Sequence, residues 1–216
     1  MKILAVDTAL GACSAAVLEN ETALAHQFVK MARGHAEALA PMVAEAMAEA
    51  GLAFSDLDRL AVTVGPGTFT GQRIGLAFMR ALRVALKKPL CGVTSLAAMG
   101  AQAMAETGAA TAAVLHDARR GEVYFEIVGA MACPPSIQPF DKAVEIVKSL
   151  GVSPALAGTA APAAAAAMPG RGAILTGIVA PDALWAGRLA STMTAPQKAP
   201  RPLYLRPPDA KRPAAR

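Results

Sequence analysis

Aromatic residues and cysteines are both scarce in this chain of 216 residues. Phe, Trp and Tyr together make up 4% of the sequence, although hydrophobic residues make up 54%. We therefore expect a core built from Ala, Val, Leu and Met, with Met filling irregular gaps. Cys13, Cys91 and Cys133 are odd in number and form no Cys-x-x-Cys pair. This pattern argues against a disulfide framework and a structural zinc site, and it indicates a reducing compartment.

Motifs that mark several enzyme classes and membrane proteins are also missing. The sequence contains no G-x-x-x-x-G-K-[ST] and no G-x-S-x-G, and no two of its three histidines lie at a metal-ligand spacing such as i, i+4. The apolar run before Asp7 is too short for a signal peptide or a membrane span. We expect a cytoplasmic protein without membrane contact and without a resident metal.

Basic charge is concentrated at the end of the chain. Residues 196–216 hold six Lys and Arg against one Asp, whereas residues 1–195 balance 15 basic against 15 acidic residues. A neutral body lacks the counterion release that drives autonomous binding to nucleic acid. The sequence predicts a solvated, Pro-rich tail, and a few phosphate contacts from this tail are the alternative.

The first half of the chain has the pattern of a layered α/β sheet. Three short strands joined by tight turns come first, and strands then alternate with amphipathic helices. The predicted strands are 3–6, 13–18, 22–29, 60–64 and 89–93, and the predicted helices are 36–50, 72–88 and 95–105.

The second half gives weaker signals after a clear pair of strands around Arg119-Arg120-Gly121. The predicted strands are 111–118, 122–131 and 154–158, and the predicted helices are 141–150, 160–170 and 181–192. The resulting domain prediction is an N-terminal lobe at 1–108, an abbreviated C-terminal lobe at 109–195 and a basic tail at 196–216.

Polar residues at the first strand end are candidate phosphate contacts. Asp7 and Thr8 end the strand and Ser14 lies across the turn, a layout suited to a carboxylate near Mg²⁺ and hydroxyls near phosphate oxygens. Asp and Thr at such positions also commonly hold the turn that follows them. His116-Asp117, at a later strand end, has the same two interpretations: acid–base work or a turn anchor.

The loop GPGTFTG at 65–71 is the most specific motif. Gly65 and Gly67 flank a proline, and the loop leads into a helix whose first amides could face an anion. The same glycines would equally suit a tight packing corner, because they let the backbone approach a neighbour closely.

Several segments, in order along the chain, resemble the TsaB family, also called YeaZ. They include ILAVDTALGACSAAVL, VGPGTFTGQRIGLA, DARRGEVYF and PLYLRPPDAK, whereas residues 134–195 match poorly. The resemblance implies an actin-like α/β fold of the sugar-kinase and heat-shock-ATPase class, with two lobes of mixed sheets flanked by helices. It also implies a role in making threonylcarbamoyladenosine, next to the anticodon of tRNA, beside TsaD, the ATPase TsaE and a separate synthase.

TsaD itself is similar in the N-terminal lobe, and its metal ligands distinguish the two families. Where TsaD has a His-x-x-x-His pair, this chain has Ser95 and Met99, which are poor ligands for a hard metal. The resemblance therefore implies a non-catalytic partner that stabilises or activates TsaD, with TsaE joining the complex and tRNA reached only through it. ATP or ADP at the complex interface and a homodimer of the isolated chain stay open, as do a phosphotransferase or ATPase, a glycoprotease-like metallopeptidase and a tRNA-binding module.

Two helices, at 36–50 and 72–88, are predicted to contact the partner. Their Ala- and Met-rich faces would admit close helix approach, although the same faces could form the chain's own core. The predicted interface residues are Leu39, Met42, Val43, Met47, Ile74, Phe78 and Met79.

Overall fold

The computed structural model describes residues 1–206 and contains two successive sets of strands and helices. The first set is β1 (Lys2–Asp7), β2 (Ala12–Glu19), β3 (Thr22–Lys30), α1 (His35–Glu49), β4 (Arg59–Thr63), α2 (Phe69–Leu86), β5 (Leu90–Val93) and α3 (Ser95–Thr107). The second set is β6 (Thr111–Asp117), β7 (Glu122–Gly129), β8 (Cys133–Pro139), α4 (Phe140–Ser149), β9 (Ala155–Ala157), α5 (Ala161–Ala166), β10 (Ile174–Leu175) and α6 (Ala183–Thr192).

Both sets form a five-stranded mixed sheet with the same topology. The strand order is β3-β2-β1-β4-β5 in the first sheet and β8-β7-β6-β9-β10 in the second. In the first sheet β2 pairs antiparallel with β1 and β3, whereas β4 pairs parallel with β1 and β5. The second sheet repeats this pattern, since β7 pairs antiparallel with β6 and β8, and β9 pairs parallel with β6 and β10. The two halves of the chain therefore repeat one architecture, although the sequence shows no obvious repeat.

The first sheet is buried on both faces, and its strand residues alternate between two cores. Leu4 and Val6 face α1 and α2, whereas Ile3 and Ala5 face the opposite side and contact α6. This alternation follows from the two-residue period of a β-strand. The first sheet thus lies between α1 and α2 on its outer side and α6 on its inner side.

Each half supplies one helix to the interior between the sheets, where it packs on the sheet of the other half. Helix α6 contacts β1, β2 and β4, whereas α3 contacts β6, β7 and β9, and the two helices also contact each other. Helix α6, which falls within the predicted lobe at 109–195, packs in the core of the first sheet. Its small residues, Ala183, Ala186 and Ala190, are fully buried there.

Glycine allows both interior helices to approach the opposite sheet closely. A Cβ atom added to Gly187 of α6 would overlap Leu18 of β2, and one added to Gly100 of α3 would overlap Val128 of β7. Leu18 and Val128 occupy the same position, the seventh, in their respective strands. The repeated architecture therefore extends to the close contacts.

The sequence analysis did not predict β8 and β10, because both are edge strands whose residues show little of the usual strand pattern. Strand β8 contains Pro134, Pro135 and Pro139, which an edge tolerates because one side of the strand needs no ladder partner. Strand β10 has only two residues.

Among residues 1–206 no helix is long and apolar enough to cross a membrane.

The described part of the tail, residues 196–206, is docked rather than solvated, and we call it the strap. It has no regular structure, as predicted, but Leu203 N donates to Val64 O at 2.8 Å. Pro200 also packs close to Gly92 of β5. The prediction of a solvated tail is thus wrong for the strap, while the rest of the predicted tail, residues 207–216, lies outside the described residues.

We expect Gly187→Val to lower the free energy of unfolding by about 2–3 kcal/mol, because its side chain would overlap the buried Leu18. Thr192→Val, at an exposed position of the same helix, is the control and should change stability by less than about 0.5 kcal/mol. Urea unfolding followed by circular dichroism gives both values. Equal stability of the two variants would show that α6 does not pack closely on β2.

Candidate functional site

The Gly-rich loop packs directly against the turn between β1 and β2. Thr68 N donates to Ala9 O at 2.8 Å, and a Cβ atom on Gly67 would overlap the same carbonyl oxygen. Gly65 O accepts from Ser95 N at 2.8 Å, which ties the loop to the start of α3. In this structure the glycines form a tight packing corner, one of the two interpretations of the motif.

Thr8 and Ser14 are buried, and their hydroxyls form hydrogen bonds within the chain. Thr8 Oγ1 donates to Gly71 O at 2.7 Å and accepts from Gly75 N at 3.0 Å. Ser14 Oγ accepts from Ala183 N at 2.9 Å, at the start of α6. These bonds attach the first strands to α2 and to α6, so both hydroxyls serve the fold.

Asp7 is fully buried and only partly hydrogen-bonded. Its Oδ1 accepts from Ala9 N at 3.1 Å and from the Thr63 hydroxyl, whereas Oδ2 has no hydrogen-bond partner among the described residues. Burial raises the pKa of Asp7 to about 7, and the negative charge of Asp182 adds to this rise. A buried carboxyl in this state is partly protonated near neutral pH.

A cleft of about 760 Å³ lies between the two halves of the molecule. The start of α2, the turn between β6 and β7, and the strap line it, together with Leu10 from the first turn. Gly67 reaches this cleft, whereas Asp7, Thr8, Ser14 and Gly65 are not among its lining residues. The structure therefore brings only one of the five predicted phosphate contacts to the cleft surface.

The turn between β6 and β7 forms the far wall of the cleft. Asp117 Oδ1 accepts from Arg119 N at 2.8 Å, and Arg119 and Arg120 both have positive φ, at 65° and 59°. Asp117 thus anchors the turn. Burial lowers the pKa of His116 to about 4, so its imidazole is neutral at physiological pH.

Most of the predicted partner-contact residues lie in the chain's own core. Ile74 and Phe78 are partly buried and pack against this core. The other five are at most 6% exposed: Leu39, Met42, Val43, Met47 and Met79. This burial corrects the sequence analysis, because packing against the first sheet accounts for the apolar faces of α1 and α2.

The strap residues were missed as part of the site, since their contacts join positions far apart in sequence. Arg206 donates through Nη1 to Ala118 O at 2.7 Å and forms an ion pair with Glu122. Arg73 Nε donates to the Tyr204 hydroxyl at 2.8 Å. The sequence does place Arg73, Arg80 and Arg83 along α2, but this pattern indicates only a basic helix face. Among residues 1–206 no three His, Cys, Asp or Glu side chains group as a metal site would need.

We expect Asp7→Asn to stabilise the protein at pH 8 by about 1–3 kcal/mol, because the carboxylate must be buried there in its charged form. The folded state holds its proton up to a pH of about 7, whereas the unfolded state loses it near pH 4. Wild-type stability therefore falls relative to the variant as pH rises from 4 to 7. Thermal unfolding of both proteins at pH 5 and pH 8 measures the difference, and a gain that does not grow with pH contradicts this account.

Comparison with known proteins shows which family this chain resembles. The family model described as TsaD, tRNA N6-adenosine threonylcarbamoyltransferase, matches residues 25–132. An uncharacterized protein of Mycobacterium tuberculosis is 39% identical over 212 residues, covering 97% of this chain and 93% of its own length. The Escherichia coli tRNA threonylcarbamoyladenosine biosynthesis protein TsaB is 39% identical over 125 residues, or 58% of this chain and 54% of its own.

Solved structures agree in fold and in family. Component A of the Acidaminococcus fermentans (R)-2-hydroxyglutaryl-CoA dehydratase, at 9% identity and a TM-score of 0.56, shares the fold alone, and the predicted actin-like fold is confirmed. YeaZ from Pseudomonas aeruginosa is 32% identical with a TM-score of 0.80, covering 94% of this chain and 99% of that one. The chain therefore belongs to the TsaB family, also called YeaZ.

Proposed function

We propose that this chain acts in the biosynthesis of tRNA threonylcarbamoyladenosine as a non-catalytic partner that stabilises or activates TsaD. Several relatives carry the name of this pathway, which supports the role in the pathway.

The polar groups around the first turn are used inside the fold, and this supports a non-catalytic role. The hydroxyls of Thr8 and Ser14 hold α2 and α6 in place, and Asp7 is sealed beneath the same turn. A side chain that acts on substrate must reach the reacting atoms, and these three are not at the cleft surface. The geometry favours a scaffold that presents a surface to its partner.

The exposed faces of α1 and α2 are the surface we assign to TsaD. They lie opposite the buried faces, and alanine is their commonest exposed residue, beside three glutamates on α1. Small side chains allow a partner helix to approach closely. The exposed alanines are Ala36, Ala40, Ala44 and Ala48 on α1 and Ala77, Ala81 and Ala85 on α2.

The cleft favours one alternative, an actin-like ATPase or phosphotransferase. Its volume of about 760 Å³ is in the range of small-molecule sites, and residues from both halves line it. Hydrolysis of ATP by the isolated chain, lost on filling the cleft with Thr159→Trp, at an exposed lining residue, but not on Ala163→Glu, would support this alternative.

We expect Ala81→Glu to weaken binding to TsaD at least tenfold, because it places a charge in the centre of the assigned surface. Ala163→Glu is the matched control, an exposed alanine on α5 in the other half, and it should bind as the wild type does. Affinity is measured by titration calorimetry after circular dichroism shows that both variants are folded. Unchanged affinity of Ala81→Glu would place the partner elsewhere.

We also expect His116→Ala and Asp7→Asn to retain most of the activity in a reconstituted threonylcarbamoyl transfer assay with TsaD, TsaE and the synthase. Omission of the chain should abolish activity, because TsaD alone would lack its activating partner. Loss of turnover in either variant, with folding and TsaD binding intact, would show that the chain contributes a catalytic side chain.

A further inference from the structure

One face of the molecule gathers basic residues without any carboxylate in the same segments. Residues 69–88, which are α2 and its C-terminal end, contain five Lys and Arg and no Asp or Glu, and the strap contains three and none. The eight cations are Arg73, Arg80, Arg83, Lys87, Lys88, Lys198, Arg201 and Arg206. The balance of charge over residues 1–195 thus hides a local excess, because the acidic residues of that part all lie outside α2.

Hydrogen bonds hold the two basic segments side by side. Arg80 Nε donates to Pro200 O at 3.1 Å, and Arg83 Nη2 donates to Gln197 O at 3.0 Å. The guanidinium groups use neutral carbonyl oxygens as acceptors and therefore keep their full charge. Within residues 1–206, only Arg206 of the eight cations forms an ion pair.

A pocket of about 390 Å³ opens at one end of this face. Arg83, Lys87 and Lys88 line it, together with Val84, Pro89 and Pro196. Three cations around one small concave space form a site whose charge suits a phosphate group.

An exposed aromatic pair marks the other end of the face. Phe69 and Tyr204 stack with ring centroids 5.7 Å apart and an interplanar angle of 26°, and the Arg73 guanidinium lies 3.5 Å from the Phe69 ring centroid. Phe69 is 56% exposed and Tyr204 is 45% exposed. Since large apolar side chains normally gain free energy by burial, this pair offers ring surface to a ligand.

We propose that this face, formed by α2 and the strap, binds RNA directly. The cations contact the phosphate backbone, and an unstacked base packs on the rings of Phe69 and Tyr204. An acidic protein would match the charge but gains less from a planar aromatic platform, so the combination favours RNA. The identity of the RNA as tRNA rests on the proposed function, whereas the RNA contact itself does not.

The test compares two triple variants of the full chain that lose the same charge. Lys88→Gln, Lys198→Gln and Arg201→Gln remove cations from the proposed face. Lys30→Gln, Lys142→Gln and Arg171→Gln remove exposed cations elsewhere. Affinity for an unmodified tRNA transcript is measured by fluorescence anisotropy between 50 and 200 mM salt. The first triple should bind about tenfold more weakly and show a salt dependence shallower by about two to three released ions, and the second should bind as the wild type does.

Single variants test the aromatic platform without changing charge. Phe69→Ala should weaken RNA binding about tenfold, whereas Tyr204→Phe keeps the stacked ring and should bind normally. Equal RNA affinity of the two triple variants overturns the proposal. So does a first triple that loses TsaD binding but keeps its RNA affinity, because the face would then be a protein interface. Loss of RNA affinity with TsaD binding intact supports the proposal even if the chain proves to have another role in the pathway.

Discussion

The exchange of helices α3 and α6 between the two sheets is the packing constraint on which the rest of the structure depends. Each helix leaves its own half of the chain and fills the inner face of the opposite sheet. Neither sheet can bury that face without the other half, so the two halves should unfold together. The close approach needs very small side chains, and Gly187 and Gly100 supply them against equivalent positions of β2 and β7.

This exchange also fixes the region around the first turn. Ser14 accepts a hydrogen bond from the start of α6, and the carbonyl of Gly65 accepts one from the start of α3. The turn and the Gly-rich loop are thus attached to both interior helices. Polar residues that an actin-like enzyme could direct at a nucleotide serve here to hold these attachments, and the proposed non-catalytic role agrees with that use.

The strap adds a second connection between the halves. It lies along α2, bonds through Leu203 to Val64 just after β4, and reaches the turn between β6 and β7 through Arg206. The cleft is therefore bounded by a segment that comes from the end of the chain. The same segment brings its cations beside those of α2, so one feature both closes the fold and creates the basic face.

The sequence by itself determined the elements whose periodicity or turn chemistry is local. The helix predicted at 72–88 is observed at Phe69–Leu86, and the paired strands around Arg119 are in place. The family and the actin-like fold were recognisable from ordered motifs. In the site, Asp7, Thr8 and Ser14 were correctly placed around one turn, because adjacent antiparallel strands bring them together.

Tertiary structure alone decided how each element is used. From the sequence, the apolar face of α1 fits a core and an interface equally well. Only its packing on the neighbouring sheet shows that Met42 belongs to the core. The crossing of α6 to the first sheet and the docking of the strap join residues that lie far apart in sequence, 169 positions for Ser14 and Ala183 and 88 for Ala118 and Arg206. No local pattern encodes such contacts.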